Sequence, residues 1–115
     1  MKLKGTNGLV VLASSLTFVH RDQIVALAIG FRLPTMNPFR ENVTAGGLMS
    51  NAASLSEIAR QGATYVVKII RGTQPADLPV ERPKKFEFVI NLKTARALGL
   101  TVPPTLLARA DEVIE

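Results

Sequence analysis

Side chains able to do chemistry are few in this chain. His20 is the single histidine, and there is no cysteine. Disulfides, thiolate metal sites, cysteine nucleophiles and histidine-pair mechanisms are thereby excluded. A Ser-His-acid set would have to form around His20, which stands beside Arg21 and Asp22 at the head of an expected helix. No serine lies in a nucleophile-elbow pattern. Asn7-Gly8 and Gly46-Gly47 are not phosphate loops, and no Walker or dinucleotide fingerprint occurs. Glu41 is the only acid between Gln23 and Glu57, so hydrolysis by paired carboxylates lacks its second group. Asp22, Glu57, Asp77 and Glu81 read as surface or capping charges. No acidic spacing suits a metal. The residues offer no catalytic set, no metal site and no cofactor motif, so the chain is not expected to be an enzyme.

What remains is hydrogen-bonding chemistry, and its usefulness depends on the elements that hold it. Leu9 to Ala13 is an apolar run between Gly8 and Ser14-Ser15, as expected of a strand covered on both faces. Helical spacing follows from about His20 to Phe31, with Ile24, Leu27, Ala28 and Phe31 as the buried stripe. Arg32 to Met36 suits a second strand, Asn37 to Gly47 a loop and Leu48 to Ser50 a short third strand. Ser54-Leu55-Ser56-Glu57 is a capping box that opens a helix running to about Arg71, with Gly72 as its stop. Leu55, Ile58, Gly62, Val66 and Ile69 share one face of it. Pro75, Pro79 and Pro83 keep the following segment extended. Phe86 to Ile90 alternates as a fourth strand. Asn91 caps a short helix from Leu92 to Leu98, closed by Gly99. Asp111 to Glu115 is a frayed tail or an edge strand.

This order predicts one α/β domain over residues 1–115, a layered and mostly parallel sheet with flanking helices. In such folds ligands gather beyond the carboxyl ends of the strands. Those ends carry Ser14, Ser15, Asn37, Glu41, Ser50 and Asn51, the candidate ligand-binding residues. Each offers hydrogen bonds to a polar solute. Ser14-Ser15 and Asn37 would equally serve plain turn formation, and Glu41 would equally pair with Arg40 or face solvent.

The 115 residues suffice for one core, and 47% apolar with 20% charged residues excludes disorder over most of the length. The net charge of +5 raises the question of nucleic acid. The Lys and Arg residues are scattered, however, and their tightest cluster is Arg82-Pro83-Lys84-Lys85. With one Tyr, five Phe and no Trp, the chain also lacks a stacking platform for bases, so no nucleic-acid partner is expected. No apolar run approaches the ~20 residues that a membrane span needs. Met1-Lys2-Leu3-Lys4 ahead of the apolar run has the outline of a signal peptide. Ser14 and Ser15 interrupt that run and no small-x-small site follows, so the strand is expected instead.

Read in order, the segments Leu9 to Ser15, His20 to Ala28, Arg32-Leu33-Pro34, Asn37 to Glu41 and Ala45 to Ser50 resemble the ABC transporter substrate-binding proteins of the TrpX-like group. The likeness continues through Ala63 to Gly72, Pro75 to Glu81, Lys85 to Leu100 and Pro103 to Ile114. The pairing of Pro75–Glu81 with Phe86–Leu100 is its most specific part. The resemblance implies part of a type I periplasmic-binding fold, in which two α/β lobes close on a small solute. It implies a periplasmic or cell-surface receptor that delivers a solute, such as an amino acid, to an ABC permease.

The chain departs from the family pattern in three ways. It corresponds only to the carboxy-terminal part of a two-lobed protein, a truncated remnant or fragment. Met49-Ser50-Asn51-Ala52 stands where members often have Met-Ser-Tyr-Gly, which puts aromatic stacking at that point in doubt. Leu16 stands where many have proline. A lobe cut from its partner would expose a sheet edge and an apolar helix face, which favours a homo-oligomer. The competing expectation is an intracellular α/β ligand-sensing or regulatory domain.

Overall fold

The computed structural model describes residues 5–115, which divide into two compact units. The first holds the described residues up to Ala52 together with Glu87–Glu115, and the second is Ala53–Phe86.

The first unit is built on a mixed sheet of five strands in the order β1-β2-β3-β4-β5. They are β1 (Leu9–Val10), β2 (Thr35–Asn37), β3 (Met49–Ala53), β4 (Phe86–Asn91) and β5 (Glu112–Ile114). β1, β2 and β3 pair in parallel, as do β4 and β5. The expected α/β layering is therefore present, and the tail expected as a frayed end or an edge strand is the edge strand β5.

Five short helices join these strands: α1 (Ser15–Val19), α2 (Arg21–Gly30), α3 (Arg40–Thr44), α5 (Leu92–Ala97) and α6 (Pro104–Leu107). α3 falls where the sequence predicts a loop, and α1 in a stretch to which the sequence assigns no element. Each has only five residues, too few to show an apolar period. The second strand starts at Thr35 and not at Arg32, because Arg32 closes α2. Its φ of 54° is left-handed, and the Leu33 amide reaches back to the Ala28 carbonyl at 2.8 Å. That is a Schellman ending, for which glycine is the usual sequence signal. The buried stripe of α2 is also rotated from expectation: Val25 and Ala28 are buried, whereas Leu27 and Phe31 are exposed. α2 is apolar on every side from Ile24 to Ile29, so spacing alone does not fix which side faces inward.

The core lies between α2, α3 and one face of the sheet. Val25, Ala28, Leu33, Val43 and Leu48 are its apolar members. Val89 and Ile90 are adjacent in β4 and point to opposite faces, yet both are fully buried. The sheet is thus covered on both sides at β4. At the β1 end it is not. Val10 is 68% exposed, and a shallow apolar groove of about 210 Å³ runs past Leu9, Val10, Pro34, Met36, Leu48 and Met49.

The second unit is one long helix, α4 (Leu55–Ile70), with the extended segment that follows it. The Ser54 hydroxyl accepts from the Glu57 amide and caps it, which is one half of the expected capping box, while Glu57 Oε1 instead accepts from Arg60 Nη1 at 2.9 Å. Gly72, at φ 102°, ends it, with the Thr73 amide on the Lys68 carbonyl. A short turn at Pro75–Asp77 then leads the chain back along the helix. The Tyr65 hydroxyl donates to the Pro79 carbonyl at 2.7 Å, and the Gln61 amide donates to Glu81. No residue of α4 is buried, and Ile58, Val66 and Ile69 of its apolar stripe are exposed.

Candidate functional site

The parallel strands β1 and β2 end at one level, against Ser50 of β3, which itself runs on to Ala53. Val10 pairs with Met36, Met36 with Met49, and Asn37 with Ser50. The Val11 amide continues the ladder to the Met36 carbonyl at 2.9 Å. Beyond this line lie the loop at Ser14-Ser15, the entry to α3 and the last residues of β3. The candidate residues are therefore gathered at one end of one sheet, but they fall into different environments.

Ser14, Ser15 and Asn51 are exposed. Ser14 is already engaged locally. Its hydroxyl accepts from the Thr17 amide at 3.1 Å, and Thr17 Oγ1 accepts from the Ser14 amide. That reciprocal cap opens α1. Asn51 lies within β3, which runs on to Ala53 and does not stop at Ser50. Glu41 is half-buried in α3. Its neighbour Arg40 pairs elsewhere, through a two-pronged contact with Glu112 of β5, Nε to Oε2 at 2.8 Å and Nη2 to Oε1 at 2.6 Å.

Asn37 and Ser50 are buried, at 3% and 1% exposure, on the core face of the sheet. The Asn37 amide donates to Thr35 Oγ1 at 2.9 Å and to the Met49 carbonyl at 3.2 Å. Thr35 Oγ1 also accepts from the Leu48 amide at 3.0 Å. Together these bonds tie β2 to the start of β3. Both side chains are buried, Asn37 as the last residue of β2 and Ser50 within β3.

Sequence reasoning missed the residues that fix the turn between α3 and β3. Asn91 is legible as the cap of α5, since its Oδ1 accepts from the Thr94 amide at 3.0 Å. Its amide also donates to the Val43 carbonyl at 3.2 Å, and Thr94 Oγ1 donates to the Gly46 carbonyl at 2.8 Å. α5 thereby grips the turn from one side while Asn37 supports it from the other. These contacts span 48 residues of sequence, beyond the reach of any local pattern. Phe18 of α1 meets Phe39 edge-to-face at 5.7 Å, and Arg21 lies 5.0 Å over the Phe18 ring. This stack braces the loop after β1 against the loop after β2.

The Arg40–Glu112 pair has a measurable signature. Its hydrogen bonds hold the Glu112 carboxyl below its ordinary value and raise the Arg40 guanidinium further. The side chains are 47% and 41% exposed, so solvent screening limits the pair to under about 1 kcal/mol. A depressed carboxylate stabilises the fold above its unfolded value, and that stabilisation is lost as pH falls through the folded value. Glu112→Gln is therefore expected to lower stability slightly at neutral pH and to match the wild type in acid. Urea unfolding of both proteins at the two pH values checks this.

Among the described residues no group of three or more His, Cys, Asp or Glu side chains is placed to hold a metal ion. No helix among them is long and apolar enough to cross a membrane.

Comparison with curated proteins returns no match. Among solved structures, a conserved domain protein from Vibrio cholerae O1 biovar El Tor shares 27% identity with a TM-score of 0.88, over 93% of this chain and 36% of that one. A protein from Streptococcus pneumonia, described as an ABC domain in complex with L-Trp, shares 25% identity with a TM-score of 0.88, over 96% of this chain and 38% of that one. The ligand-free, open form of a substrate binding protein with adhesive properties from Clostridium difficile has a TM-score of 0.61 at 20% identity, which shows the fold alone, over 92% of this chain and 35% of that one. The chain thus spans little more than a third of the length of these relatives. Residues 3–114 match the family described as ABC transporter substrate binding protein, and the chain belongs to that family, whose members bind solutes and are not enzymes.

Proposed function

We propose that the chain supplies one wall of a solute receptor for an ABC import system, outside the cytoplasm, and that its solute is small and polar, with an amino acid as the leading class. The observation that carries this reading is the register that sets the β1 and β2 ends level with Ser50 of β3, with exposed hydrogen-bonding groups just beyond that line. Ser15 and Asn51 meet the solute directly. Glu41 stands at the rim, and Ser14 shares its hydroxyl with the α1 cap. Asn37 and Ser50 act from beneath by fixing the strand ends. The L-Trp bound by the Streptococcus relative supports the amino-acid class, and the permease is the partner that a receptor of this kind serves.

A receptor of this type encloses its ligand between two lobes, and one wall alone leaves most of the ligand in water. Calorimetric titration with a panel of amino acids, L-Trp included, tests the reading. The 115-residue chain alone gives no micromolar, stoichiometric heat. The same chain joined to a first lobe binds one amino acid, and replacing Ser15 and Asn51 by alanine weakens that binding about tenfold. A stoichiometric response from the chain alone, or an unchanged affinity in the double variant, would refute the proposal.

A further inference from the structure

The core beneath the strand tips contains polar atoms that the protein itself does not satisfy. Asn37 Oδ1, Asn42 Oδ1, Asn42 Nδ2 and Ser50 Oγ are buried with no hydrogen-bond partner among the described residues. Asn42 is the extreme case, fully buried with both ends of its amide unpaired. Unpaired groups of this kind are rare in native interiors, where ordered water takes up what protein groups leave over.

The residues lie together. Asn37 and Ser50 are register partners on adjacent strands, so their side chains share a face about 5 Å apart. Asn42 adjoins them at Gly47. A Cβ built there would sit 2.5 Å from Asn37 Nδ2 and 2.9 Å from the backbone carbonyl of Asn42, so the backbone that carries the buried Asn42 comes close to the Asn37 amide. The chemistry is also complementary to one molecule. Asn37 Oδ1 and Asn42 Oδ1 accept, Asn42 Nδ2 donates and the Ser50 hydroxyl donates. Water donates twice and accepts twice.

We infer that Asn37, Asn42 and Ser50 form an internal hydration site that holds one ordered water between α3 and the ends of β2 and β3. The site is independent of the solute reading. It explains why a fully buried asparagine stands in a five-residue helix beside Val43, where leucine would fill the space without an unmet hydrogen bond.

Magnetic relaxation dispersion of water in solutions of the chain detects internal water through its long residence time. The wild type shows such a water, and Asn42→Leu abolishes it. The same substitution raises the unfolding equilibrium constant about tenfold, because Asn37 Oδ1 and Ser50 Oγ lose their shared partner. Ser50→Ala, a smaller change, keeps the fold and shortens the residence time. Absence of a long-lived water in the wild type overturns the inference, as does a water that survives in Asn42→Leu. An Asn42→Leu protein more stable than the wild type overturns it as well, since that is the result for an amide buried with no partner of any kind.

Discussion

Ile90→Ala is expected to lower stability by about 2–5 kcal/mol, the range for deleting a large aliphatic side chain from a packed interior. Ile90 is fully buried, and so is Val89 on the opposite face of β4. The strand also anchors its neighbours: Asn91 donates its backbone amide to the Leu48 carbonyl at 2.8 Å, and Val89, Ile90 and Asn91 are register partners of Glu112, Val113 and Ile114. Backbone fixed on both sides cannot collapse into the space that the substitution leaves, which places the loss in the upper half of the range. Chemical denaturation measures it. A change below about 1 kcal/mol would mean that β4 is not held as described.

Gly47→Ala is expected to destabilise by about 1–3 kcal/mol, the scale of overpacking a filled interior. The new methyl group would meet Asn37 Nδ2 at 2.5 Å and the Asn42 carbonyl at 2.9 Å. The Asn37 amide is the end of a side chain and can turn away, but only by surrendering its bonds to Thr35 Oγ1 and the Met49 carbonyl. The Asn42 carbonyl is backbone and accepts from the Gly47 amide itself at 2.9 Å, so it has less room to move. Gly62→Ala is the informative control. A Cβ at Gly62 meets nothing within 4 Å, and alanine is the better helix former there by about 1 kcal/mol. Thermal unfolding of the two variants should shift in opposite directions; a neutral Gly47→Ala would contradict the close approach at the turn.

The parts of the fold legible in the sequence are those with local signatures. The Ser54 cap, the Gly72 stop and the Asn91 cap each depend on a few neighbouring residues and are found where expected, and β4 is present where its alternation predicts a strand, although Val89 and Ile90 are buried on both faces. The parts that were not legible depend on contacts between distant segments. Arg32 takes a left-handed angle that its residue type does not announce. α3 is too short to show a period, and the inward side of α2 is set by what packs against it. The candidate site divides along the same line. The sequence places Asn37 and Ser50 at strand ends; Asn37 does end β2, whereas β3 runs on past Ser50 to Ala53. It does not tell that their side chains face the core, because every position in a short strand between two helical layers has an inner and an outer side.

The grip of α5 on the turn before β3 separates two kinds of evolutionary freedom. The path of the turn that leads into β3 is held by Asn91 and Thr94, and Asn37 ties the end of β2 to the start of β3. In the proposed receptor, what this end of the sheet offers to a solute rests with Ser15 and Asn51, which are exposed and whose side chains make no hydrogen bond among the described residues. A lineage can therefore rewrite its taste in cargo at the outer positions while the platform beneath them keeps its form.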